Sequence, residues 1–390
     1  MATIQNESLL LKQVNRQTTP IRVGKLLIGA GHPIAVQSMC ATRTQDIVET
    51  LEQIRLLKER GAAIIRVAVD SKRDVAALQQ IRKETDACLA VDLQENYRLA
   101  RDVAPLVQKI RYNPGHLHHI ESSLRILDKV DFLTDCAGQH GCAIRVGVNF
   151  GSLDPLQSKN GNDPLSAALN SAAEHIAMLE RFDFRNYLVS LKSSDPEAVV
   201  MINKRFAHQF PEVPLHLGVT EAGPLPIGEW KTRYAFEQLL SEGIGDTIRV
   251  SLTLPHAEKY LEVQIGEQII RDVAAGILKG VENYKKGGLN IISCPSCSRV
   301  ENSAFIELAE KVRSMAQFAA GHDLTIAVMG CRVNGPGESD EADLGLWCAA
   351  GYVNLKKRGQ LIGAYRYEEI LDVLKEQIAD FISSSKEAAS

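Results

Sequence analysis

Ala63-Ile-Ile-Arg-Val-Ala-Val69 is an almost unbroken run of apolar, mostly β-branched residues with one arginine at its centre. A run of this kind suits a strand buried on both faces, where polar residues do not alternate with apolar ones. Just before it, residues 47–60 place Ile47, Leu51, Ile54 and Leu57 at spacings of three and four, along one face of a helix. The same alternation recurs along the chain, with strand candidates at 33–39, 88–93, 107–112, 143–148, 187–192, 214–219 and 247–252. Eight strands, each followed by a helix, over about 250 residues predict an α/β fold of the closed (β/α)8 type, a TIM barrel. A doubly wound open sheet usually stops at about five or six strands, and the glycine-rich pyrophosphate fingerprint is missing after the first strand.

The chain has 390 residues, more than one hydrophobic core usually serves, so a second domain is expected. The barrel is assigned to residues 21–280, preceded by a polar N-terminal extension at 1–20; residues 21–28 are read as a hairpin with the following strand. Lys279-Gly-Val-Glu-Asn-Tyr-Lys-Lys-Gly-Gly288 reads as a linker. Residues 289–390 then form a smaller α+β domain: a strand ending at Cys294, a helix over 302–319, a strand over 324–329, two further short strands, and a closing helix over 367–383. Hydrophobic residues make up 45% and charged residues 24%, an ordinary globular balance, and the net charge of −4 gives no footprint for nucleic acid or an anionic membrane. Neither a signal peptide nor an apolar run of about 18 residues is visible, which predicts a cytoplasmic chain. The eight cysteines are too sparse for a disulfide scaffold.

In a (β/α)8 barrel the ends of the strands build the active site. Those ends read Arg66, Asp92, Arg111 with Asn113, Arg145 with Asn149, Lys192, Thr220 with Glu221, and Arg249 with Ser251. Four arginines and a lysine at one mouth repel one another unless an anion neutralises them, and guanidinium forks match phosphate oxygens. Asp92, Glu221 and Asp246 could neutralise some of these cations but not all, which favours ligand binding over a set of rim salt bridges. Glu221, directly after Thr220 in Gly218-Val-Thr-Glu-Ala-Gly223, would stay ionised among cations and could orient a hydroxyl or accept a proton. It could also be a structural partner for an arginine.

The second domain carries Cys294-Pro-Ser-Cys297, with Cys331 in Met329-Gly-Cys-Arg-Val-Asn-Gly-Pro-Gly-Glu338. Two thiolates in C-x-x-C spacing can share a metal centre, and a third from a separate turn completes a face. An iron–sulfur cluster, a zinc site and unligated thiols all remain open. Glu338, on a Gly-Pro-Gly turn, is the available oxygen donor, and Cys348 competes with it from spacing. Cys40, Cys88, Cys136 and Cys142 read as packing residues. His118 and His119 point apart on a helix, His216 reads as a core histidine, and His116 could line the mouth.

Together these motifs closely resemble one family, the 4-hydroxy-3-methylbut-2-enyl diphosphate synthases, iron–sulfur reductases of the non-mevalonate isoprenoid pathway. The resemblance runs from about Ile21 to the last helix. It is carried by Val36-Gln-Ser-Met39, Ile65-Arg-Val67, Tyr112-Asn-Pro-Gly115, Ile144-Arg-Val-Gly-Val-Asn149, Gly151-Ser-Leu153, Leu215-His-Leu-Gly-Val-Thr-Glu-Ala-Gly223, Ser241-Glu-Gly-Ile-Gly-Asp-Thr-Ile-Arg-Val-Ser251, Cys294-Pro-Ser-Cys-Ser-Arg299 and Val333-Asn-Gly-Pro-Gly-Glu338. It implies 2-C-methyl-D-erythritol 2,4-cyclodiphosphate as substrate and a 4Fe–4S cluster held by Cys294, Cys297, Cys331 and Glu338. It implies that Arg66, Arg111, Arg145, Lys192 and Ser251 grip the diphosphate, while Asn149, Thr220, Glu221 and Arg249 surround the reacting carbons. It further implies Glu221 and Glu338 as catalytic groups, flavodoxin or ferredoxin as electron donor, and a head-to-tail homodimer. The chain departs from the family pattern at Cys40-Ala-Thr42, at Asp92-Leu-Gln-Glu95 and at Leu344-Gly-Leu-Trp-Cys-Ala-Ala350. A non-catalytic iron–sulfur or zinc protein that binds a diphosphate metabolite is the alternative. A zinc aldolase-like barrel would want histidines on the rim, where Arg, Lys and Asn predominate.

Overall fold

Two short strands, β1 (Ile21–Val23) and β2 (Leu26–Ile28), pair antiparallel in the computed structural model, which describes residues 16–154, 157, 163–284, 287–331 and 335–389. Residues 1–15 of the extension lie outside the described residues, as do 285–286 of the linker and Val333 and Asn334 of the second-domain motif. The hairpin closes on itself rather than on the next strand, contrary to expectation. Its Ile21, Val23 and Ile28 pack beneath Ala35, Ile64, Ala90, Ala143 and Leu188, sealing the end of the barrel where the strands begin.

The eight barrel strands are β3 (Ala35–Met39), β4 (Ile64–Ala68), β5 (Leu89–Asp92), β6 (Lys109–Tyr112), β7 (Ala143–Asn149), β8 (Tyr187–Lys192), β9 (His216–Leu217) and β10 (Thr247–Ile248). They pair in parallel in the order β8-β7-β6-β5-β4-β3-β10-β9, and a Val189–Leu215 bridge closes the ring. β9 and β10 are shorter than their sequence runs. Past β9, Glu221 O accepts from Ser293 N of the other domain at 3.1 Å, while past β10 Thr253 N donates back to Gly223 O of the barrel at 3.1 Å. Side chains alternate across each strand with a period of two. Ile65, Val67, Ile110, Ile144, Val146 and Val189 belong to the apolar core against the helices, while Arg66, Arg111, Arg145, Ser190 and Lys192 line the interior. Gly147 is required here: a Cβ on it would lie 2.3 Å from Arg111 Nε.

The second domain is a five-stranded sheet. β11 (Leu289–Ser293), β12 (Leu324–Met329) and β13 (Leu344–Cys348) run parallel, and β14 (Val353–Lys357) and β15 (Gln360–Tyr365) complete it antiparallel. Three strands thus follow β12 rather than two. Gly335-Pro-Gly is not a free turn but opens the helix Gly335–Glu341, since proline is tolerated in a first helical turn. That helix lies close on β13: a Cβ on Gly345 would stand 2.1 Å from Ser339 O. The helices Ala304–Met315 and Ile370–Ala389 pack Phe305, Leu308, Val312, Ile370, Leu374 and Ile378 against the sheet. The linker is also more structured than expected. Residues Gly280–Asn283 are helical, and Gly280 N donates to Glu237 Oε2 at 2.6 Å. No helix among the described residues is long and apolar enough to cross a membrane.

Residues 16–20 of the supposed extension are also docked. Just before β10, buried Asp246 accepts from Thr18 Oγ1 at 2.9 Å, Leu215 N at 2.8 Å and Arg16 Nη1 at 3.4 Å. Changing Asp246 to Ala strands the buried Arg16 guanidinium and should cost about 3–5 kcal/mol. Urea unfolding checks this, and an unchanged midpoint would mean that the segment contributes nothing to the barrel's closure.

Candidate active site

The interior cations sit on neighbouring strands in matched rows. Asp92 pairs across the ladder with Arg111, and Arg111 with Arg145. Arg145 lies four residues before the end of β7 and is 2% exposed, so the basic cluster reaches into the barrel and is not confined to the strand ends. Arg66, Arg111, Lys192 and Arg249 are buried with it. Asp92 Oδ1 takes Arg111 at 2.8 Å, and Oδ2 takes Arg66 at 3.5 Å. Arg111 Nη2 donates to Gly147 O at 3.0 Å and Nη1 to Gln94 Oε1 at 3.0 Å. Arg145 Nη1 reaches Ser190 Oγ at 2.5 Å. Among the described residues, Nε and Nη2 of both Arg145 and Arg249, and Ser251 Oγ, have no hydrogen-bond partner.

Burial lowers the affinity of these cations for their protons. Arg66 comes down to about 9, with Asp92 pulling the other way. Arg145 and Lys192 fall well below their ordinary values, first through desolvation and then through the neighbouring arginines. Buried donors without acceptors are costly, so the cavity is built for an anion that is not part of the protein.

Asn149, Thr220 and Glu221 line the same cavity, with Thr220 Oγ1 donating to Asn149 Oδ1 at 3.5 Å. Glu221 is 2% exposed and holds a left-handed backbone, φ 48°, a conformation that costs a non-glycine residue about 1 kcal/mol or more. Glu338 meets it from the second domain. Ser194 Oγ donates to Glu338 Oε2 at 3.3 Å, and a Cβ on Gly151 would lie 2.5 Å from Glu338 Oε1. Burial, and then the charge of Glu221, push the Glu338 carboxyl well above the usual carboxylate range.

Cys294 follows β11, Cys297 comes three residues later, and Cys331 lies just past β12; all three line the same cavity as the cations. Hydrogen bonding to Cys331, and then burial, raise the Cys297 thiol well above its ordinary value. All eight cysteines are free. Three converging thiols with a nearby buried carboxylate fit a metal–sulfur centre, and no histidine is among the lining residues. Cys348, the competing ligand, is not among the residues that line the cavity, and burial pushes its thiol up to about 12. The cysteine loop is clamped by the barrel. Thr253 Oγ1 donates to Cys294 O at 2.8 Å, Ser296 Oγ to Leu254 O at 2.6 Å, and Lys259 Nζ to Pro295 O at 2.7 Å.

The histidines stand outside this cavity. His216 Nδ1 pairs with Thr247 Oγ1 at 2.6 Å inside the barrel. His118 and His119 sit in a turn after Pro114–His116 rather than on a helix, and they diverge, His118 to Asp154 at 3.1 Å and His119 to Glu95 at 3.3 Å. His116 binds Gln94 through Nδ1 at 2.6 Å, and burial brings it down to about 3. Glu95, His116 and His119 bring donor atoms within 4.8 Å of one another, a grouping not evident in the sequence. The rings of His116 and His119 stack at 4.9 Å and 21°. Sequence reasoning also missed Ser190 and Arg299. Ser190 was signalled by its place two residues before Lys192, on the same strand face. Arg299 stood at the end of the Cys294–Arg299 motif, but nothing local pointed to its carboxylate partners.

Comparison with known proteins agrees over nearly the whole chain. A family model described as the GcpE TIM-barrel domain matches residues 18–267, and one described as the GcpE protein C-terminal domain matches residues 290–380. A Rhodopirellula baltica protein named 4-hydroxy-3-methylbut-2-en-1-yl diphosphate synthase (flavodoxin) is 55% identical over 371 residues, covering 95% of this chain and 97% of that one. A Nautilia profundicola protein of the same name is 39% identical over 365 residues, covering 93% of this chain and 97% of that one. Among solved structures, a Yersinia pestis dihydropteroate synthase matches with a TM-score of 0.46 and 13% identity over 66% of this chain and 98% of that one, a likeness that carries no functional argument. With both of its domains matched and its relatives covered almost end to end, this chain belongs to the GcpE family, the 4-hydroxy-3-methylbut-2-en-1-yl diphosphate synthases.

Proposed function

We propose that this chain converts 2-C-methyl-D-erythritol 2,4-cyclodiphosphate to 4-hydroxy-3-methylbut-2-enyl diphosphate. The reaction takes up two electrons and two protons, opens the ring and releases one hydroxyl as water. The observation that carries this reading is a single cavity with two donor sets, buried guanidinium groups lacking acceptors and three thiols. Cys294, Cys297, Cys331 and Glu338 would hold a 4Fe–4S cluster, which supplies electrons one at a time from flavodoxin or ferredoxin. Flavodoxin is the carrier in the relatives' names.

Arg66, Arg111, Arg145, Lys192 and Ser251 bind the diphosphate and exclude water from it. Asn149, Thr220 and Arg249 orient the carbon skeleton, and the Glu221 carboxylate orients the hydroxyl that leaves as water. The boundaries proposed for these tasks are a barrel at 21–280 and a cluster domain at 289–390. Eight free thiols support a reducing, cytoplasmic setting. The chain is further proposed to act as a homodimer. Here the second domain covers its own barrel, and a head-to-tail pair would exchange these same contacts between two copies. A monomeric mass in solution would overturn that pairing.

Anaerobically prepared protein should contain about four irons per chain. Changing Cys294, Cys297 or Cys331 to Ser should remove them, and Cys348→Ala should not. Stoichiometric zinc without sulfide would sink the cofactor assignment. Among the cations, Arg145→Ala or Lys192→Ala removes a charge-assisted contact worth about 1.5–3 kcal/mol and should weaken diphosphate binding about 10- to 150-fold. A diphosphate favours the charged form of Lys192, whose proton affinity burial and the neighbouring arginines depress, so binding should be linked to proton uptake and weaken as pH rises. Calorimetry in two buffers of different ionisation enthalpy reads this directly, and no proton uptake would place the anion elsewhere. Glu221→Gln should keep substrate affinity while turnover with a reduced carrier drops by at least about 100-fold. Wild-type-like turnover in that variant would remove Glu221 from the chemistry.

A further inference from the structure

Arg299 lies two residues beyond Cys297 on the cysteine loop, and its guanidinium spends its donors on the barrel. Nε reaches Asp70 Oδ2 at 2.9 Å, Nη2 reaches Asp70 Oδ1 at 2.7 Å and Asp92 O at 3.0 Å, and Nη1 reaches Asp92 Oδ2 at 3.4 Å. The same Oδ2 faces Arg66 at 3.5 Å, while Oδ1 takes Arg111 at 2.8 Å. One carboxylate is therefore shared between two cations of the anion cavity and one cation of the loop that carries two of the three thiols.

We propose that Arg299 is a positioning residue that couples occupation of the anion cavity to the seating of the cysteine loop, with Asp92 as the shared element. An oxyanion bound by Arg66 and Arg111 competes with Asp92 for their N–H donors. Asp92 then has lone pairs to give Arg299, so the loop is held more tightly when the cavity is filled. Asp70 sets the baseline through its two-point grip, and Asp92 carries the change. Loop and anion thus stabilise each other, as reciprocity of coupled equilibria requires. The inference rests on the proposed reaction only for the identity of the anion.

The test is backbone hydrogen exchange over residues 296–301 in the oxidised holoenzyme, where no turnover occurs, with and without the cyclic diphosphate. In the wild type, ligand should slow exchange there by about tenfold, within the usual range of coupling between sites. Asp70→Asn should raise the exchange rate without ligand by a similar factor, and ligand should bring it back to within about threefold of the wild type. Asp92→Asn should abolish the ligand effect, although ligand still binds through Arg145, Lys192 and Arg249. Arg299→Lys, which keeps the charge but loses the fork, should also abolish it, and it serves as the test if Asp92→Asn does not fold. A full ligand effect in Arg299→Lys or Asp92→Asn would overturn the proposal, as would an unchanged baseline in Asp70→Asn. Loss of iron from Asp70→Asn would likewise overturn it by assigning the pair to cluster retention. A wild type that does not bind the cyclic diphosphate at all would instead refute the reaction assigned above.

Discussion

Three guanidinium groups share the Asp92 carboxylate, Arg111 at 2.8 Å, Arg299 at 3.4 Å and Arg66 at 3.5 Å. Two unit charges about 5 Å apart repel by about 3 kcal/mol at an effective dielectric of about 20, so a buried cluster of cations survives only around a fixed anion. The three arginines hold the Asp92 carboxyl well below its ordinary value in spite of its burial. The pull of three cations thus favours the charged carboxylate, and Asp92 can serve as the electrostatic pivot of the cavity. It does not finish the neutralisation. Arg145 and Lys192 have no comparable carboxylate beside them, and their depressed proton affinity reflects that deficit.

The deficit explains why the second domain sits where it does. Pro295 O accepts from Lys259 at 2.7 Å and Ile291 O from Lys231 at 3.0 Å, while Glu338 faces Glu221. The thiols thus share a cavity with buried cations, an environment in which thiolates are stabilised. Seating energy and cofactor electrostatics point the same way.

Much of this was legible in the sequence because buried parallel strands write themselves as local apolar runs, and the arginine in Ala63–Val69 marks an inward-facing position at once. Periodicity tells which face a residue takes, but not how deep along the barrel axis it lies, so Arg145 read as a rim residue. β9 was read too long because the chain just past it bonds to another domain at Glu221, which no local pattern encodes. Gly335-Pro-Gly read as a turn since glycine and proline punctuate chains, while its helix is decided by packing on β13. Arg299 stayed silent for the same reason: its carboxylate partners are 207 and 229 residues away.

A cavity of this kind sacrifices stability for function. Among the described residues, Nε and Nη2 of Arg145 and Arg249 and Ser251 Oγ have no hydrogen-bond partner, and each such group costs about 1–3 kcal/mol. The barrel offsets this with a bottom sealed by the hairpin and by Asp246, far from the chemistry. Because a matching anion satisfies donors that unfolded chain would expose to water, it binds only the folded state, and at about 100 times its dissociation constant it adds about 2.7 kcal/mol. The arrangement makes substrate part of the folded structure's charge balance. A variant that filled the cavity with internal salt bridges would be more stable and, for the same reason, unable to bind.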